Sequence, residues 1–233
     1  VSPPCAEGAQ EKVNEGYVWG MALADDKIFF GTVANTQCLV IGSFLQSTDP
    51  TINDAYVCEF GQSPVPGVPA ALGDYRPPRL YMYDQSSESL TDLVSAMSSG
   101  ARTLLSSTVG IRAVGAYDGV VLFGGLSLTG GVNFFAFSDD GTFLTAGNES
   151  AYSNIRKFRA IQGALYVGVG YEAEGLQQGR ILKWTGNSSD PISFETVGIV
   201  DSEVAELALH DGRLFVTTWP DDDAEAALYM SPP

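Results

Sequence analysis

The stretch Glu203–Trp219, EVAELALHDGRLFVTTW, alternates apolar residues with others, turns at Asp211-Gly212, and alternates again. Period-two alternation on both sides of an Asp-Gly pair predicts two half-buried strands joined by a tight turn. Glycine in second place supplies the positive φ such a turn needs at little steric cost. The same pattern occurs three more times, as VWGMALADDKIFFGT (Val18 to Thr32), IRAVGAYDGVVLFGG (Ile111 to Gly125) and IRKFRAIQGALYVGV (Ile155 to Val169). Aligned with VAELALHDGRLFVTT (Val204 to Thr218), the four hairpins match without a gap, with turns at Asp25-Asp26, Asp118-Gly119, Gln162-Gly163 and Asp211-Gly212.

The segments after the hairpins repeat as well. An aromatic-rich third strand is expected at RLYMYD, GVNFFAFSDDG, GRILKWTGN and AALYMS, and a fourth strand in the first three units at SLTDLV, GTFLTAG and SFETVG. The later hairpins start at Ile111, Ile155 and Val204, intervals of 44 and 49 residues, which match the roughly 40 to 50 residues of one propeller blade. On these repeats the chain resembles the β-propeller superfamily, in which four-stranded antiparallel sheets stand around a central channel. The resemblance lies in periodicity: no Trp-Asp blade ending is present, and Phe123-Gly124-Gly125 echoes the kelch double glycine. It extends to uncharacterised secreted microbial propellers with second strands like LYVG, which imply no activity. The alternative fold is an all-β sandwich with similar hairpins.

The expected organisation is an N-terminal extension (1–16) followed by propeller repeats (17–233). Blade one covers 17–97 with an insertion at 35–78, blade two 109–147, blade three 153–198 and blade four 203–233, which stops near its third strand. The ring is therefore expected to be incomplete, with the remaining blades of a larger propeller as a partner. The first interval, Val18 to Ile111, is about twice the others. It is read as an inserted top-face loop, because connections of such length in compact domains are usually functional or disordered. A degenerate extra blade is the competing reading, with QCLVIGSF and AYVCEFG as a strand pair. Cys38 and Cys58 fall in this segment, and a disulfide between them would stabilise the fold by about 3 kcal/mol in the chain-entropy model. Cys5 is left over.

Composition excludes several classes of function. Lys and Arg total 12 against 28 Asp and Glu, a net charge of −16, which repels nucleic acid and anionic membranes. The apolar runs are too short to span a bilayer. Acidity and the disulfide-like pair favour an extracellular or periplasmic location. Zinc spacing, the GxSxG elbow, HExxH and the phosphate-binding P-loop are absent, and the only histidine, His210, sits beside a turn. The acidic loops YEAEG (Tyr171 to Gly175) and PDDDAE (Pro220 to Glu225) depart from the calcium-loop pattern. No metal, cofactor or catalytic residue is assigned.

In a propeller the residues leading into each first strand reach the top rim of the channel. Trp19, Arg112, Arg156 and Ala205 occupy this position. Arg offers a planar fork suited to carboxylate or phosphate, so Arg112 and Arg156 are candidate ligand-binding residues, with Trp19 and Trp219 as apolar or sugar-stacking platforms. The competing reading pairs each Arg with a structural carboxylate such as Glu203 or Glu206. The functional expectation is a secreted module that binds a small-molecule, glycan or protein ligand through its top face. The alternatives are an enzyme acting on a carbohydrate or other extracellular polymer with top-face carboxylates, and an interaction scaffold.

Overall fold

A computed structural model describes residues 17–36, 75–173, 175–220 and 225–232. The extension 1–16, most of the insertion, all three cysteines and the core of the second acidic loop lie outside the described residues. The chain forms four antiparallel sheets arranged as the four blades of a β-propeller. Blade one holds β1 (Tyr17–Ala24), β2 (Lys27–Val33), β3 (Leu80–Asp84) and β4 (Ser89–Asp92). Blade two holds β5 (Ala113–Tyr117), β6 (Val120–Leu126), β7 (Val132–Ser138) and β8 (Phe143–Glu149). Blade three holds β9 (Tyr152–Ile161), β10 (Ala164–Ala173), β11 (Leu176–Trp184) and β12 (Phe194–Val200). Blade four has three described strands, β13 (Val204–His210), β14 (Arg213–Thr218) and β15 (Leu228–Met230).

Turn chemistry sets each inner hairpin. Asp118, Gln162 and Asp211 have φ of 49°, 47° and 51°, and the following glycines 73°, 75° and 75°. Both central residues are therefore left-handed, the geometry whose twist matches the strands it joins. Blades meet through their innermost strands, β1 beside β5, β5 beside β9 and β9 beside β13. Between neighbouring sheets lie three apolar seams. Phe29, Leu80 and Met82 of blade one pack on Val114, Val121, Phe123 and Phe137 of blade two. Leu122, Phe134 and Ala136 on the other face of blade two pack on Ile155, Phe158 and Leu165 of blade three. Ile181 and Tyr166 of blade three pack on Val204, Leu207 and Val216 of blade four.

A short helix, α1 (Ser99–Ser106), joins blades one and two, where the sequence pattern shows only a connector. The Ser98 hydroxyl caps it by accepting from the Ala101 N–H at 3.2 Å, while Ala101 and Leu105 bury one side. Behind it sits a fully buried Asn133, whose amide donates to Thr108 Oγ1 at 2.9 Å and whose Oδ1 accepts from Asn148 at 2.8 Å. Satisfied on both ends, the amide ties the connector to β7 without an orphaned polar atom.

Two carboxylates of the outer turns are held by hydrogen bonds that favour their ionised form. Asp84 accepts from the Ser86 hydroxyl at 2.7 Å and from the Ser86 and Ser87 N–H groups at 2.9 Å each. Asp140 accepts from the Ser138 hydroxyl and from the Thr142 N–H. These bonds, the serine hydroxyl bond leading in each case, hold both carboxyls down at about 2. An unfolded Asp titrates near pH 3.9, so the stabilisation is complete above that value and disappears as pH falls through about 2. Urea midpoints are expected to drop across this window in the wild type and to drop less in an Asp84→Asn/Asp140→Asn variant. An equal pH dependence in the two proteins would show that these turns do not carry it.

Candidate functional site at the top rim

A repeated irregularity raises side chains to the rim. In blade one, Val18 pairs with Thr32 and Gly20 with Gly31, which leaves Trp19 as the extra residue of a β-bulge. The same slip leaves Arg156 unpaired in β9 and Ala205 unpaired in β13. A bulged residue is released from the two-faced alternation and can be aimed elsewhere. Arg112, ahead of β5, holds the equivalent place and donates its N–H to Gly124 O at 2.9 Å.

The structure sorts the four sequence-predicted residues into two pairs, each across a blade boundary. The Arg112 guanidinium lies over the Trp19 ring, 4.7 Å from its centroid, and donates to Asn154 Oδ1 at 2.8 Å. Arg156 lies over Trp219 at 4.3 Å, and its Nε donates to Glu203 Oε1 at 2.5 Å. Each aromatic plane is thus used by an Arg of the adjoining blade, a contact worth about 0.5–1 kcal/mol where solvent reaches it. Glu203 takes up the charge of Arg156. Below the rim, Glu206 pairs with Lys157 at 3.1 Å and Arg159 at 3.2 Å. Burial pushes the Glu206 carboxyl up, but hydrogen bonds from Lys157 and the Leu207 N–H, together with the charges of Lys157 and Arg159, outweigh it and hold the group below its ordinary value.

Between blades three and four the rim opens into a notch lined by Ser153, Tyr171, Gln177, Gln178, Glu203 and Trp219. Trp219 remains 53% exposed although Arg156 covers part of it. On the opposite wall, Arg180 lies over Tyr171 at 3.2 Å, and Tyr171 packs on Tyr152 at 6.4 Å. The notch therefore offers an aromatic plane, one carboxylate, two amides and a hydroxyl. Sequence reading marks Trp219 and Arg156 but misses Ser153, Gln177 and Gln178. They lie at the starts of β9 and β11, which flank the end of β10 in blade three, and only the sheet register and the adjoining Glu203 and Trp219 of blade four make them one surface. His210 is exposed at the opposite, turn end of β13. Among the described residues, no cluster of three or more His, Cys, Asp or Glu is placed to hold a metal, and no helix is long and apolar enough to cross a membrane.

No protein-family model matches the chain, and no curated protein matches it in sequence. Solved structures similar to it include the computationally designed Ika4 protein, at 14% identity and a TM-score of 0.43, covering 95% of this chain and 98% of that one. A mutant of a GH32 β-fructofuranosidase from Bombyx mori in complex with sucrose is similar at 12% identity and a TM-score of 0.40, over 99% of this chain and 47% of that one. The tricorn protease is similar at 14% identity and a TM-score of 0.38, over 92% of this chain and 21% of that one.

Proposed function

We propose that this propeller is an extracytoplasmic binding module whose notch between blades three and four takes a neutral, hydroxyl-rich ligand of the glycan class. The observation that carries the reading is the half-exposed Trp219 ring, stacked by Arg156 beside the polar groups of Glu203, Gln177 and Gln178. An aromatic plane flanked by carboxylate and amide groups suits a sugar ring, which presents an apolar face for contact and hydroxyls for hydrogen bonding. Because Glu203 already neutralises Arg156, the notch favours a neutral ligand over an anion. Glu203 is also the one carboxylate among the described lining residues. Hydrolysis by a carboxylate pair is the competing activity, and it requires a second such group about 5 to 10 Å from Glu203.

The test is calorimetric titration of the protein with a panel of neutral and acidic oligosaccharides. A neutral member of the panel is expected to bind, and Trp219→Ala to weaken it about 30-fold, the loss expected of a central aromatic contact. Arg112→Ala, outside the notch, is expected to leave that affinity unchanged. Binding that survives Trp219→Ala intact would remove the notch as the site.

A further inference from the structure

The four hairpins carry a packing rule that governs which sheet can lie against which. The first residue of each aligned hairpin is a knob: Val18, Ile111, Ile155 and Val204. The fourteenth is a socket: Gly31, Gly124, Gly168 and, in blade four, Thr217. Ile111 fills the space a Cβ at Gly31 would need, at 2.3 Å, Ile155 that at Gly124, at 2.6 Å, and Val204 that at Gly168, at 2.2 Å. Each knob of blade n+1 thus enters the glycine socket of blade n. These three knobs are fully buried.

The fourth knob has no socket among the described residues. Val18 is 45% exposed, and the fourth residue of its hairpin, Met21, is 64% exposed, whereas the equivalent Val114, Phe158 and Leu207 are buried in the seams. Cross-strand pairing puts Leu23, Ile28, Tyr83 and Leu90 in one row and Met21, Phe30 and Tyr81 in the next, all on the same open face of blade one. Strand for strand it is the surface that blades two, three and four each bury against the blade before them. Blade four turns an open face of its own outward, with Phe215, Met230, Thr217 and Leu228. At that face the socket position holds a side chain. At the three internal seams a Cβ in this position would stand 2.2 to 2.6 Å from the knob, so a Thr217 side chain placed the same way would overlap Val18.

We propose that the open face of blade one is an interface for a further propeller blade that carries glycine at the socket position. Thr217 bars blade four from that role, in the same chain or in a second copy. The partner is defined by its chemistry: an apolar sheet face with a glycine aligned to Val18, continuing the series of three internal seams. This surface is separate from the glycan notch.

The methionines report on it directly. Met21 and Met230 lie on the two open faces, whereas Met82 and Met97 are buried. Hydrogen peroxide followed by mass spectrometry should oxidise Met21 and Met230 quickly in the wild-type chain, which should sediment as a monomer. Thr217→Gly supplies the missing socket, so Met21 and Met230 should become protected together. Their oxidation is expected to slow about tenfold or more, since a buried group reacts only through rare openings. The change should come with either dimerisation or closure of the ring, and adding Val18→Asp to Thr217→Gly should restore wild-type reactivity. Three outcomes overturn the proposal: a wild-type dimer with Met21 protected, because a second copy then suffices; a wild-type monomer with Met21 protected, because the chain then covers its own face; and a folded Thr217→Gly variant whose Met21 and Met230 react as in wild type.

Discussion

Gly168→Val is expected to destabilise the protein by about 3 kcal/mol, at the upper end for overpacking a filled site. The new Cβ would meet Val204 Cγ1 at 2.2 Å, and Val204 is fully buried in the seam between blades three and four, with no room to retreat. For a protein of this size the loss corresponds to a fall of about 6–12 °C in melting temperature. Strand propensity alone predicts the opposite sign, because Val is a better strand former than Gly. A Val204→Ala change separates the two effects. Alone it should cost about 1–2 kcal/mol through the lost methyls, yet in the Gly168→Val background it should restore about 1 kcal/mol by relieving the overlap. Thr217→Val, at the same hairpin position in blade four, should shift stability by no more than about 0.5 kcal/mol, because Thr217 faces solvent. Urea denaturation of the four variants provides the comparison. A stabilised Gly168→Val protein would show that the socket is not rigid.

Phe123→Ala should cost about 3–5 kcal/mol, the range for removing a buried aromatic side chain. Phe123 is fully buried and meets Phe29 of blade one at 6.4 Å and Phe137 of its own blade at 5.6 Å, both edge-on. The loss should be uneven across the molecule. In a repeat architecture each unit is stabilised by its own sheet and by its contacts with neighbours. Blade one meets the rest of the described structure through the seam that Phe123 anchors. Hydrogen exchange is therefore expected to accelerate first in β1 to β4, with β9 to β12 still protected. Uniform acceleration in all blades would point instead to a single cooperative unit.

The repeat was legible because its signal is local. Alternation, the Asp-Gly and Gln-Gly turns and an ungapped alignment located the inner hairpins, and the aromatic runs located the third strands. Helix α1 was not legible: it is eight residues long, contains Gly100 and leans on a Ser98 cap that resembles any loop serine. At the rim, alignment placed Trp19, Arg112 and Arg156 at one position. It could not reveal that Arg112 belongs with Trp19 and Asn154, and Arg156 with Trp219 and Glu203, because those partners come from neighbouring blades. Gly124 shows the same limit. In sequence it looked like half of a kelch-like double glycine, whereas its place in the fold is to admit Ile155. One-dimensional pattern reports what a strand does for its own sheet, and contact between sheets has no pattern until they are stacked.

The bulges at Trp19, Arg156 and Ala205 divide labour within the inner strands. The residue before each bulge is the knob, Val or Ile in every blade, and a polar side chain there would open a seam. The bulged residue itself differs in type from blade to blade: blade three holds an arginine there and blade four an alanine, yet Ile155 and Val204 beside them are both buried in a seam. Under the proposed binding role, recognition and architecture fall on different positions of the same strand. A library varied at 19, 112, 156 and 205 should change what the rim recognises while leaving the blades in register.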